Sequence, residues 1–133
     1  GFMTTELLAA ALLDMELHNL TDTENLNVVA FEKETMDKLG LIPEIAPRYR
    51  ATYFSHIIGG YAAGYYSYLW AEVLDTDAFE AFKEHGVFDK NTADSFRKNI
   101  LEKGGTEDPM TLYRGFRGAD PSLEPLLKNR GLK

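Results

Sequence analysis

The stretch "HIIGGYAAGYYSYLWAEVL", residues 56–74, decides how this chain is read. It sets one histidine and two adjacent glycines in front of four tyrosines and the single tryptophan. At about 100° per residue, Tyr61, Tyr65, Tyr68 and Glu72 fall within about 60° of one another on a helix. Tyr66, Leu69, Trp70, Val73 and Leu74 lie on the largely opposite side, where they are expected to pack as core. The reading is therefore a long helix from about Tyr61 to Leu74 with a hydroxyl-bearing face distinct from its core face. Gly59 and Gly60 precede it and are expected to allow positive φ or close backbone approach.

Outward from this helix, apolar residues keep a helical period and no stretch alternates as a strand would, so the expected fold is all-α. A first helix is expected from about Thr5 to His18 with Leu8, Leu12 and Met15 as its stripe. Thr21-Asp22-Thr23-Glu24 has capping-box spacing ahead of a second helix carrying Val28, Val29, Phe31, Met36 and Leu39, which stops at Gly40. Pro43 and Pro47 hold an extended connector. A short helix is expected over Arg50 to Ile57. Asp75-Thr76-Asp77 is read as a break, after which Ala78 to His85 continues to Gly86. Another helix runs from Thr92 to Lys103 and ends at Gly104-Gly105. Asp108-Pro109 and Asp120-Pro121 each pair an N-cap aspartate with an N1 proline and predict two last helices. No repeat and no long linker divides the chain, so residues 1–133 are read as a single helical unit.

Bulk properties exclude several function classes. With 133 residues and 44% hydrophobic content the chain suits a domain burying roughly two-thirds of its unfolded surface. A net charge of −7 lacks the basic footprint of a nucleic-acid binder. The absence of cysteine removes disulfides, thiolate nucleophiles and cysteine zinc sites, and fits either redox compartment, so localisation stays open. The uncharged run Ile57 to Ala71 is shorter than the ~20 residues a membrane span needs. Leu7 to Leu13 is bracketed by Glu6 and Asp14 and follows no basic residue, unlike a signal peptide. The opening Gly1-Phe2-Met3 reads as a cleavage scar or an internal start, and the chain is expected to be a piece of something larger.

On the tyrosine helix alone two readings stand: packing residues whose hydroxyls find partners, or donors facing a cleft where charge develops on a carbonyl oxygen. A resemblance separates them. "YFSHIIGGYAAGYYSYLWAEVLDTDAF" (Tyr53–Phe79) resembles the carboxy-terminal signature of the thimet oligopeptidase and peptidyl-dipeptidase family of zinc metallopeptidases. "GFMTTELLAAALLDMELHNL", "PRYRATYFSH" and "FRKNILEKGGTEDPMTLYRGFRGADPSLEPLLKNRGL" are similar to consecutive blocks of the same region, so the match covers essentially the whole chain. The bacterial peptidyl-dipeptidases, or dipeptidyl carboxypeptidases, look closest.

The resemblance implies peptide substrates and assigns His56, Tyr61 and Tyr68 to substrate contact and stabilisation of the tetrahedral intermediate, with Tyr65 on the same face. Gly59 and Gly60 match the flexible loop that lets the tyrosines approach substrate. The short spacing from His56 to Tyr61 is that of the thimet-like members. The family's zinc motif, H-E-x-x-H, is absent: only His18, His56 and His85 occur, no two of them four apart. The expectation is a carboxy-terminal fragment that carries one wall of the active site, holds no metal and is inactive without the missing upstream part, zinc belonging to the intact parent. The alternative is an autonomous helical module that binds peptide or protein without catalysis. An active-site wall without its opposite side also makes self-association of the fragment plausible.

Other constellations are weaker. His18 and His85, near predicted helix ends, read as structural. Glu16, Glu24, Glu32 and Glu34 read as solvated faces rather than paired catalytic carboxylates. Asp75-Thr76-Asp77 lacks the pattern of a calcium loop. Ser55 beside His56 lacks a nucleophile elbow. Arg48 and Arg50 could bind a peptide carboxylate bidentately, against a plain reading as ion pairs with acidic residues.

Overall fold

A computed structural model describes all residues, Gly1–Lys133. It contains six α-helices and no strand, as the periodicity requires. The chain falls into two compact units, residues 1–69 and 70–133.

In the first unit, α1 (Phe2–His18) buries Ala9, Ala10, Ala11, Leu13 and Asp14. The expected stripe of Leu8, Leu12 and Met15 is instead exposed. Alanines permit a closer approach than leucines, and the run Ala9-Ala10-Ala11 puts the small residues where other segments must come near. Ala10 and Ala11 pack with Phe54, Ile57 and Tyr65. Ala9 and Leu13 pack with Met36 of α2 (Val28–Lys38). Full burial of a side chain such as Leu13 stabilises by roughly 1.5–3 kcal/mol.

The cap of α2 is Asn27, whose side-chain oxygen accepts from the Ala30 amide at 3.0 Å. Thr21–Glu24 forms no capping box; Asp22 accepts from the Glu24 amide at 2.9 Å and closes a local turn. Gly40, with φ of 70°, ends the helix as expected. Past the prolines, the expected helix over 50–57 is two 3₁₀ turns, Ala51–Tyr53 and Ser55–Ile58.

The tyrosine segment departs most from expectation. Residues 59–66 form a string of turns, and α3 (Ser67–His85) begins only at Ser67. Tyr61 and Tyr65 thus precede the helix instead of riding on it. Of the expected core face, Val73 is buried while Tyr66 and Trp70 are exposed. The predicted break at Asp75-Thr76-Asp77 does not occur. Thr76 donates its hydroxyl to the Glu72 carbonyl at 2.6 Å, and the Asp77 side chain is engaged by Tyr113, so neither competes for the helix backbone.

In the second unit, Asp89 caps α4 (Lys90–Phe96), accepting from the Thr92 amide at 2.7 Å and the Thr92 hydroxyl at 2.9 Å. The helix then widens into a π turn, Arg97–Leu101. Asp108 and Pro109 open α5 (Pro109–Arg117) as predicted, with the carboxylate accepting from the Thr111 amide at 2.9 Å. Asp120-Pro121 opens nothing: α6 spans Glu124–Asn129, and Asp120 pairs with Arg114 at 2.6 Å. Trp70, Leu74, Phe82, Phe96 and Phe116 line an open apolar cavity of about 680 Å³ within this unit.

Candidate functional site

His56 stands on the second 3₁₀ turn, inside a ring of aromatic side chains. Its imidazole centroid lies 4.7 Å from Tyr49, 5.3 Å from Tyr65, 5.9 Å from Phe54, 6.0 Å from Tyr61 and 6.3 Å from Tyr68. Tyr61 and Tyr68 stack at 5.1 Å, and Tyr65 meets Tyr68 edge-on at 5.0 Å. The four residues singled out from sequence therefore converge, although a loop and not a helical stripe brings them together.

Within the group the roles differ by exposure. Tyr65 is 3% exposed, packed under the others against α1. Tyr61 and Tyr68 are each 40% exposed, at the open edge of the cluster. A hydrogen bond with Tyr61, then loss of hydration, pushes the Tyr68 phenol up to about 12, which keeps it a proton donor at neutral pH. Burial also raises Tyr65, opposed by a hydrogen bond with Arg48. Buried His56 Nδ1 has no hydrogen-bond partner in the chain. A hidden polar atom left unpaired is uncommon and often functional.

The loop is held from beneath by Asp14, a wholly buried residue of α1. Its two carboxylate oxygens accept from the Ala63 amide and the Tyr65 amide, each at 2.9 Å. The left-handed backbone falls at Ala63, with φ of 52°, and not at the glycine pair. Neither Gly59 nor Gly60 adopts positive φ, and a methyl group at either would meet open space. Their expected backbone role is thus not used in this conformation.

Arg48 lies 3.6 Å from Glu6. Arg50 is bonded to Glu32, which also accepts the Ala51 amide at 2.7 Å. Glu32 is buried, contrary to the solvated face expected of it, because it closes the turn at Ala51. Glu16, Glu24 and Glu34 are exposed as expected.

Sequence reasoning missed Asp14, Glu32 and Tyr49 as site builders. Asp14 did carry a signal, being a lone carboxylate directly after the Leu7–Leu13 run. In the second unit it missed Asp77, which accepts from the Tyr113 hydroxyl at 2.6 Å. Arg117 joins this group, 3.4 Å from Asp77, and binds Glu84 in bidentate fashion at 2.8 and 3.0 Å.

No three His, Asp or Glu side chains converge as a metal site would require. His18 Nδ1 lies 2.9 Å from the Asp14 carbonyl and His85 Nδ1 2.9 Å from the Ala81 carbonyl, the structural roles expected of them. The residues present do not fit a bound zinc. No helix is long and apolar enough to cross a membrane.

Comparison with known proteins matches residues 1–132 to the model of "Peptidase family M3". The chain is 44% identical to the dipeptidyl carboxypeptidase of Salmonella typhimurium and 45% identical to that of Escherichia coli, in each case over 99% of the chain and 20% of the relative. It is 57% identical to oligopeptidase A of Escherichia coli over 60% of the chain and 12% of that protein. The chain thus spans about one fifth of the length of the dipeptidyl carboxypeptidases it matches. A family match that spans residues 1–132, nearly the whole chain, leads to one assignment: the chain belongs to peptidase family M3.

Proposed function

We propose that this chain forms one wall of the substrate cleft of a zinc-dependent, peptidyl-dipeptidase-like enzyme. In that wall Tyr61, Tyr68 and His56 bind the peptide backbone and stabilise the oxyanion, and Tyr65 supports them from below. The observation that carries this reading is the stacked, half-exposed pair Tyr61 and Tyr68 beside an imidazole with an unpaired nitrogen. Two phenols that share one hydrogen bond spend one O–H on each other and leave the second free to donate outward. A donor of this kind, fixed before substrate arrives, stabilises charge developing on a carbonyl oxygen without reorganising. Gly59 and Gly60, unconstrained by neighbours, give the loop freedom to close on a peptide. Arg48 and Arg50 are the candidates to receive a peptide carboxylate, each by exchanging its present partner, Glu6 or Glu32, for that of the substrate.

The zinc ligands and the general base of the reaction belong to residues outside this chain, and the chain by itself is inactive. Tyr68→Phe in the intact enzyme tests the reading: kcat is expected to fall by roughly 10²–10³. A kcat near that of the unmodified enzyme would remove Tyr68 from the mechanism. Metal content and peptide hydrolysis, measured on this chain and on the intact enzyme, test the division of labour. Stoichiometric zinc or hydrolysis in the short form would overturn it.

A further inference from the structure

Asp14 is ionisable and wholly buried, yet no lysine or arginine side chain neutralises it. Its acceptor capacity is spent on a loop far along the chain: Oδ1 on the Ala63 amide, Oδ2 on the Tyr65 amide, with His18 Nδ1 2.9 Å from Oδ1. Two amides two residues apart, both directed at one helix, need two acceptors on one short side chain. An asparagine has one carbonyl oxygen and would turn an NH₂ group toward one of those amides. For burial alone an apolar residue would serve at least as well, since an interior charge is costly.

What lies between the two amides is the unusual backbone. Ala63 takes a left-handed φ that its Cβ disfavours, and Gly64 follows it. That twist ends in Tyr65, whose ring meets both His56 and Tyr68. We infer that Asp14 is the positioning residue of the tyrosine loop: by accepting the Ala63 and Tyr65 amides it fixes the backbone that stacks Tyr61 on Tyr68 beside His56. Its effect on catalysis rests on the function proposed above; its effect on the loop does not.

The test is amide hydrogen exchange and kinetics on the intact enzyme. In the unmodified enzyme the Ala63 and Tyr65 amides exchange slowly, and Asp14→Asn speeds at least the one left facing its NH₂ group about tenfold or more, as expected for losing a buried bond to a charged group. The same variant lowers kcat about tenfold but adds little further loss when Tyr68 is already phenylalanine, because Asp14 acts through that ring. Adding Ala63→Gly to Asp14→Asn restores part of kcat, since glycine takes positive φ without being held there.

Fast exchange of both amides in the unmodified enzyme overturns the inference with no variant needed. Unchanged exchange in Asp14→Asn overturns it, as does equal activity of that variant with alanine or glycine at position 63. If Tyr68→Phe alone leaves kcat untouched, the proposed function fails while the exchange rates still decide the role of Asp14.

Discussion

Tyr61 and Tyr68, seven residues apart, stack with ring centroids at 5.1 Å and planes 24° from parallel, although only Tyr68 lies on a helix. A hydrogen bond with Tyr61, ahead of lost hydration, is what pushes the Tyr68 phenol up to about 12. A raised phenol is neutral at every pH below that range, so the donor function persists through neutral pH and disappears only in strong alkali. Tyr61→Phe removes the bond and should bring Tyr68 down toward the ordinary tyrosine value of about 10. Tyrosinate absorbance, titrated for the variant against its parent, checks this; an unmoved Tyr68 would show that the pair does not share a proton.

Glu32 closes the turn at Ala51 from inside the first unit. Glu32→Ala leaves the Ala51 amide without its acceptor and should cost about 1–3 kcal/mol, read from chemical denaturation. Glu32→Gln keeps one oxygen for that amide and should lose less.

In the second unit, burial first, and then the hydrogen bond to Asp77, raise the Tyr113 phenol well above its usual range. Tyr113→Phe should destabilise by about 1–3 kcal/mol, because it strips a short bond from a buried carboxylate and leaves Arg117 as its neighbour. A melting temperature equal to the parent's would mean that the pair contributes nothing net.

Three aspartates offer a graded comparison. Asp89→Ala and Asp108→Ala each remove a true N-cap and should cost about 1 kcal/mol. Asp120→Ala breaks only an exposed pair with Arg114 and should stay within about 0.5 kcal/mol. The carboxyl of Asp89 is held low chiefly by the Thr92 amide. The stability it supplies is therefore present above the ordinary aspartate range and lost as pH falls through its depressed value, and Asp89→Ala should flatten that acid limb.

The helical class, the stop at Gly40 and the Asp108-Pro109 start were legible because each depends on local chemistry: period, a left-handed glycine, a cap beside a proline. That the aromatic residues gather around His56 was legible from their density in one short run. Their arrangement was not. Helical spacing put Tyr61, Tyr65 and Tyr68 on one stripe, whereas the loop that gathers them is shaped by Asp14, about fifty positions away, which no local pattern reveals. Asp75-Thr76-Asp77 failed as a break for the same reason: Asp77 answers to Tyr113 across the second unit, and its propensity to interrupt a helix is overridden. Asp120-Pro121 has the same letters as Asp108-Pro109, but its carboxylate is taken by Arg114.

The inverted packing of α1 has a consequence for its surroundings. With alanines beneath and Leu8, Leu12 and Met15 outside, this helix is apolar around most of its circumference, the composition of a rod embedded in protein rather than one floating at a solvent boundary. Within the first unit α1 thus grips the tyrosine loop through Asp14 on one flank and leaves its leucines open on the other.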